Sequence, residues 1–326
     1  MKLAKEIVFH QLKKYFSVDY YKKKGILTKF DRPVLFDRTA TLDGRVVVLD
    51  ANDFEEYTAY RRDGGCLVVS IGKPPACDGG FEDSVIFTDG RATLVEVFNR
   101  LQDIFSLFDD WDRTLQLLYY EAGSFADLIA CSKSVVSDPI SILDKDFHFV
   151  AYSQESIDLG YVSLYNSAYD NIQMDYVNAI LADPAYVESL ANQNSYMFSY
   201  PVGDGICKNI FYKDEYVGRV DIPTSFDDTD ACEYHSQILE ILGNCIERTY
   251  KKYHSFSQSE ITLSSVKGLI DDGMSGKVVS EDAWSSSLSE IGWSTYGKLR
   301  TIQLRPDPRY DNSTYSSYFG EGRRRL

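Results

Sequence analysis

The sequence predicts a multidomain protein that mixes α/β and α+β character. It has a small α/β module, a long connecting helix, an antiparallel strand-rich module and the start of a truncated third domain. Three observations carry this. Between residues 91 and 137, apolar side chains fall at Val97, Leu101, Ile104, Phe108, Trp111, Leu115, Leu118, Ala122, Phe125 and Ile129. Their steps alternate four and three, the spacing of a helix with one continuous apolar seam. Ahead of it, buried-strand runs such as Val46-Val47-Val48-Leu49 alternate with helical patterns, as in α/β folds. Behind it, short strands flank tight polar turns, as in hairpins. A chain of 326 residues also exceeds one ordinary core. The expected divisions are 1–90, 91–138, 139–253 and 254–326.

Taken in order, residues 2–24 read as an amphipathic helix with Leu3, Ile7, Val8, Leu12, Tyr15 and Phe16 on its apolar face. Strands are expected at 33–36, 45–49, 65–70 and 84–87, with a short helix at 53–61. Gly- and Pro-rich turns separate them. The seam helix has one weak point, Gly123-Ser124, and Pro139 stops it. It reads either as a core helix packed inside one domain, or as a connector that joins two domains and pairs two chains. In the second reading Val97, Leu101, Ile104, Phe108, Trp111 and Leu115 form a dimer seam. A hairpin follows at 140–152, in which His148 alternates with Phe147 and Phe149 and faces solvent. Helices are expected at 175–181 and 185–192, and a strand at 196–200. Gly203-Asp204-Gly205 reads as part of a turn, 209–222 as a second hairpin, and 227–253 as a long helix capped by Asp227 or Asp228. Two helices near 260–271 and 280–291 and a strand at 299–305 open the third domain.

The net charge of −15 is uneven. Residues 1–32 hold nine Lys and Arg against three acids, so the rest of the chain carries −21. An acidic body does not attract phosphate backbones, and direct DNA binding by this chain is not expected. The six cysteines have neither C-x-x-C spacing nor the pattern of a disulfide framework. Reduced thiols in a cytoplasmic protein are the simplest reading. No run has the length of a membrane span, and no signal peptide is seen.

Motifs for chemistry are sparse. None of the four histidines, His10, His148, His235 and His254, stands at metal-ligand spacing. No nucleophile elbow or phosphate loop is present. No catalytic residue, metal or cofactor is expected, and the chain reads as a non-enzyme. Aromatic residues do cluster between 147 and 211. A concave site lined by some of them, with Phe149, Tyr152, Tyr165, Tyr169, Phe198 and Phe211 as candidates, is the default small-molecule hypothesis. Each of these taken alone is more often core than ligand contact.

One resemblance covers roughly residues 30–305. The run Val97-Phe98-Asn99-Arg100-Leu101-Gln102-Asp103-Ile104-Phe105, with Trp111 and Leu115, resembles a helix of PucR/CdaR-type bacterial transcriptional regulators. Leu128-Ile129-Ala130, Asp138 to Asp144, and Phe149-Val150-Ala151-Tyr152-Ser153 are similar to the opening of that family's PAS- or GAF-like sensor domain. Tyr216-Val217-Gly218-Arg219-Val220 resembles a strand of the same fold. The resemblance implies a ligand-sensing and dimerising regulator portion, with a small-molecule effector bound in 139–253 and a homodimer as the working state. It further implies a degenerate cyclase-like domain beginning at 299–305 and a C-terminal helix-turn-helix, which this sequence does not show. The family supplies no catalytic residues to carry over. The alternative is a ligand-free interaction or scaffolding module.

Overall fold

The structure, a computed structural model, describes residues 1–21, 29–60, 65–74, 84–158, 165–166, 171–172, 174–200 and 203–253. The elements expected beyond residue 253 lie outside the described residues. The chain divides into two compact units, Met1–Gln258 and Ser259–Leu326, and every described residue belongs to the first.

Six strands form the first sheet: β1 (Leu3–Ala4), β2 (Val18–Tyr21), β3 (Lys29–Leu35), β4 (Arg45–Asp50), β5 (Leu67–Ile71) and β6 (Ser84–Thr88). Their order is β1-β3-β4-β5-β6-β2. The four central strands run parallel, and β1 and β2 close the edges antiparallel. A parallel centre has to be covered on both faces. Val46 and Val48 share a core with α1 (Lys5–Lys13) and α3 (Leu94–Tyr120). Val47 and Leu49 pack with Phe54 and Tyr57 of α2 (Phe54–Tyr60) on the other side. The helix expected at 2–24 is therefore much shorter, because Leu3-Ala4 and Val18–Tyr21 are drawn into the sheet as its two edges.

The seam helix breaks where the sequence is weak. α3 begins with a capping box between Thr93 and Glu96. It ends at Tyr120, and Ala122 takes a φ of 60°. A Cβ on Gly123 would lie 2.7 Å from Leu118 Cδ2. A second capping box, Ser124 with Asp127, starts α4 (Phe125–Ser132). The stripe considered as a dimer seam is filled by the chain itself: Val97, Leu101, Ile104, Phe108, Trp111 and Leu115 are all 0–3 % exposed. These side chains need no second chain to cover them.

The second sheet contains β7 (Ser141–Asp144), β8 (Phe149–Tyr152), β11 (Tyr196–Tyr200), β12 (Gly203–Tyr212) and β13 (Glu215–Pro223), in the order β11-β12-β13-β7-β8. Every pairing is antiparallel. The segment read as a turn at Gly203-Asp204-Gly205 instead opens β12 and pairs with β11. A side chain at Gly205 would meet the Tyr200 ring, 3.3 Å away, so the glycine lets that ring lie against the strand. Between β8 and β11 come α5 (Gln154–Asp158), a two-stranded ladder of β9 (Tyr165–Asn166) and β10 (Asn171–Ile172), α6 (Met174–Leu181) and α7 (Pro184–Ser189).

α8 (Thr229–Tyr253) packs on one face of this sheet, where Ile142, Ile206, Ile210, Val220 and Ile222 meet Ile238, Leu239, Leu242 and Ile246. The same apolar cluster continues through α3 into the first sheet. The three segments expected as separate modules up to residue 253 thus share one continuous core in a mixed α/β fold. Among the described residues no helix is long and apolar enough to cross a membrane.

Candidate functional site

The other face of the second sheet carries buried charged and aromatic side chains. Along β13, Val220 and Ile222 point to α8, so Arg219 and Asp221 point the opposite way. Register places Arg219 between Asn209 and Leu143, and Asp221 between Cys207 and Ser141. β11 presents Tyr196, Phe198 and Tyr200 at alternate positions, and Phe198 joins a cluster with Leu143, Phe147, Val177, Ile180, Tyr186 and Cys207.

Arg219 is 1 % exposed. Three rings surround its guanidinium, with Cζ 4.9 Å from the Tyr200 centroid, 5.3 Å from Phe147 and 5.5 Å from Tyr186. Each ring has its own local support. Tyr200 uses the space left by Gly205. Phe147 sits in the β7–β8 turn at a φ of 63°, where the Asp144 carboxylate accepts from the backbone N–H of Asp146 and His148. That turn takes Phe147 out of the strand alternation expected for it and aims its ring at Arg219. Tyr186 lies on α7, which Asp183 caps and Pro184 opens. The Asn209 amide donates to the Ser189 and Asn192 carbonyls, tying the end of α7 to β12.

Aromatic faces attract a cation, but they do not use its hydrogen bonds. Among the described residues Nε, Nη1 and Nη2 of Arg219 have no hydrogen-bond partner. Nor has Asp221 Oδ1, although Oδ2 accepts from the Ser141 hydroxyl at 3.1 Å. Buried polar groups are nearly always paired, and each exception calls for a cause. Burial works against the charged form of Arg219, but a guanidinium does not lose its proton in a protein, and the Asp221 carboxylate favours its charge. Burial raises the Asp221 carboxyl to about 6, while Arg219 and Ser141 pull it down. Cys207, 3.0 Å from the Tyr200 hydroxyl, is pushed up to about 12 by burial and is no nucleophile.

The structure gathers three of the aromatic residues proposed from sequence. Phe149 and Tyr152 stand on β8 opposite Leu143 and Ser141, with ring centroids 5.7 Å apart, and Phe198 lies in the cluster itself. Phe211 pairs with Tyr216 at the hairpin end, centroids 6.5 Å apart, outside the cluster. Tyr165 belongs to β9, its side chain undescribed, and Tyr169 lies outside the described residues. The central residues Arg219 and Asp221 were not among the sequence candidates.

Polar side chains also converge at two other places. Ligand atoms of Asp144, Asp146 and His148 all lie within 4.8 Å of one another, a metal-compatible group that the sequence spacing did not reveal. Asp144 is already committed to the turn, and its Oδ2 lies 3.0 Å from His148 Nδ1. A groove of about 470 Å³ runs along α3 and α8. Its Glu240 is paired with Lys208 at 3.0 Å, and its Arg248 donates to Gln116 at 3.3 Å. Neither place holds a buried polar group left unpaired.

No protein-family model and no curated protein matches the chain. Among solved structures, an extracellular ligand binding receptor from Desulfohalobium retbaense DSM5692 matches over 52 % of this chain and 31 % of that one. The identity is 13 % and the TM-score 0.22.

Proposed function

We propose that residues 139–253 form a sensor that binds a small molecule on the sheet face carrying Arg219, within a PucR/CdaR-like transcriptional regulator of the cytoplasm. One observation carries the sensing reading: a fully buried guanidinium and a buried carboxylate oxygen stand side by side without hydrogen-bond partners, among aromatic rings. A ligand would supply those partners. The antiparallel sheet, with its last strand β13 in the middle and a long helix behind it, supports the PAS- or GAF-like reading.

The signal path in this reading is short. Alternate residues of β13 touch the ligand side and α8, so a shift at Arg219 or Asp221 moves Val220 and Ile222 against Leu239 and Leu242. Pairing of two chains would use the outer side of α3, where Val95, Leu117 and Tyr120 are exposed, since the inner side is filled.

A second reading has its own support. The three rings alone could hold Arg219, and the chain would then be a ligand-free interaction module. Thermal-shift screening of wild type and Arg219→Met against small metabolites separates the two. Sensing predicts compounds that raise the wild-type Tm by several degrees and leave the variant unmoved. A folded wild type that no compound stabilises favours the ligand-free module.

A further inference from the structure

Resting on the sensing reading, we propose that Arg219 and Asp221 together take up a small carboxylate along with one proton, which Asp221 receives. The guanidinium offers up to five N–H donors in a planar fork that matches a carboxylate, and no described residue engages any of its nitrogens. No other charged side chain faces Asp221 among the described residues. Arg219 stands on its own strand, Ser141 on β7, Cys207 on β12 and Tyr200 on β11. Of these only Arg219 carries charge at neutral pH.

The proton follows from charge balance. Without ligand, one guanidinium offsets one carboxylate. An incoming carboxylate adds a second negative charge to the same desolvated space, and two adjacent carboxylates do not both stay ionised. Asp221 is the one that protonates, because burial has already weakened its hold on the charged form. Its carboxylate and a solvent proton give a carboxylic acid. The new O–H at Oδ1 donates to the ligand, Oδ2 keeps the Ser141 bond, and Arg219 donates to the ligand's oxygens. Asp221 Oδ1 and two of the three Arg219 nitrogens are then paired, and the site holds one positive and one negative charge.

The test is isothermal titration of the whole chain with benzoate, succinate and pyruvate, using benzamide as the neutral control. Tris and HEPES, which differ in ionisation enthalpy, report the protons exchanged. At least one carboxylate should bind at pH 7.5 with uptake of about one proton, and its affinity should rise about tenfold per unit fall in pH between 8 and 7. Benzamide should not bind. Arg219→Met should abolish binding. Asp221→Asn, a second variant in case the first fails to fold, should keep binding but lose both the proton uptake and the pH dependence. Carboxylate binding without proton uptake overturns the inference, and so does equal binding to Arg219→Met. If benzamide binds and no carboxylate does, sensing survives and the carboxylate assignment falls. If none of the four binds, the assignment falls as well, and the broader metabolite screen decides the sensing reading by itself.

Discussion

Lys208 crosses α8 at Gly243: a Cβ on that glycine would lie 2.6 Å from Lys208 Cδ. The lysine cannot move aside cheaply. It is 3 % exposed, and its Nζ is fixed by the Gln193 carbonyl at 2.9 Å and by Glu240 at 3.0 Å. Alanine in mid-helix gains about 1 kcal/mol over glycine, whereas overpacking costs about 1–3 kcal/mol. Gly243→Ala should therefore destabilise the chain by about 1 kcal/mol in urea unfolding. With Lys208→Ala in the background the collision is gone, and the same substitution should become stabilising. A double-mutant cycle showing no coupling would mean that α8 does not rest on Lys208.

Phe108 tests where the apolar stripe of α3 points. Its ring is fully buried and meets Trp111 edge-on, with centroids 5.8 Å apart, and Trp111 Nε1 donates to Ser132 on α4 at 3.2 Å. Phe108→Ala should cost about 3–5 kcal/mol, as for other large core truncations. The loss should be independent of protein concentration, since the chain's own packing already buries the ring. An unfolding midpoint that changed with dilution would return the stripe to an interface.

The same residues show what the sequence could and could not convey. The seam's period was plain, and so was its weak point, because helix spacing and a Gly-Ser pair are local signals. What covers the seam was not, because that depends on a sheet formed by distant strands. Val46 to Leu49 announced burial on both faces through an unbroken apolar run. Arg219 gave the opposite impression: in Gly218-Arg219-Val220-Asp221-Ile222, strict alternation reads as one wet face and one dry face. Its burial is supplied by α7 and by the Tyr196, Phe198, Tyr200 row of β11. That row was visible in the sequence, but its partner strand was not. The early helix was overestimated for a related reason, since Val18–Tyr21 is apolar enough for either element and is fixed as a strand by pairing with β6.

Arg219 should be expensive for the ligand-free protein. Its unpaired nitrogens forgo the hydrogen bonds they made in water, and the three rings return only part of that. Methionine keeps the stem and suits an aromatic surrounding. Substituting Arg219 alone, however, strips Asp221 of its counter-charge. The double variant Arg219→Met/Asp221→Asn avoids this and should be as stable as wild type or more so, by up to about 4 kcal/mol. Arg219→Met alone should be less stable than the double variant at pH 7.5, and the gap should narrow at pH 5, where folded Asp221 is protonated. Chemical denaturation at the two pH values measures both differences. A double variant clearly weaker than wild type at both would show that the rings and Asp221 fully compensate the guanidinium.

Buried Asp221 and half-buried His10 should tilt stability in opposite directions across the same acid range. Asp221 is raised from an ordinary 3.8 to about 6 by burial. Between those values the folded state binds more protons than the unfolded one. Its contribution is thus best below pH 3.8 and falls as pH rises through 6, by on the order of 3 kcal/mol. His10, stacked on Tyr234 at 3.9 Å, is lowered from 6.5 to about 4, by burial first and then by Lys14 and His235, against Asp138 and Asp228. Here the unfolded state binds more protons, so stability is complete above pH 6.5 and is lost as pH falls through 4. The slopes oppose each other between pH 4 and 6, and wild type should vary less there than either single variant. His10→Gln should leave a stability that declines from pH 4 to 6, and Asp221→Asn one that climbs from pH 4 to 6.5. Urea midpoints at half-unit intervals test this. If His10→Gln leaves the wild-type profile unchanged, the histidine is not held neutral against α8.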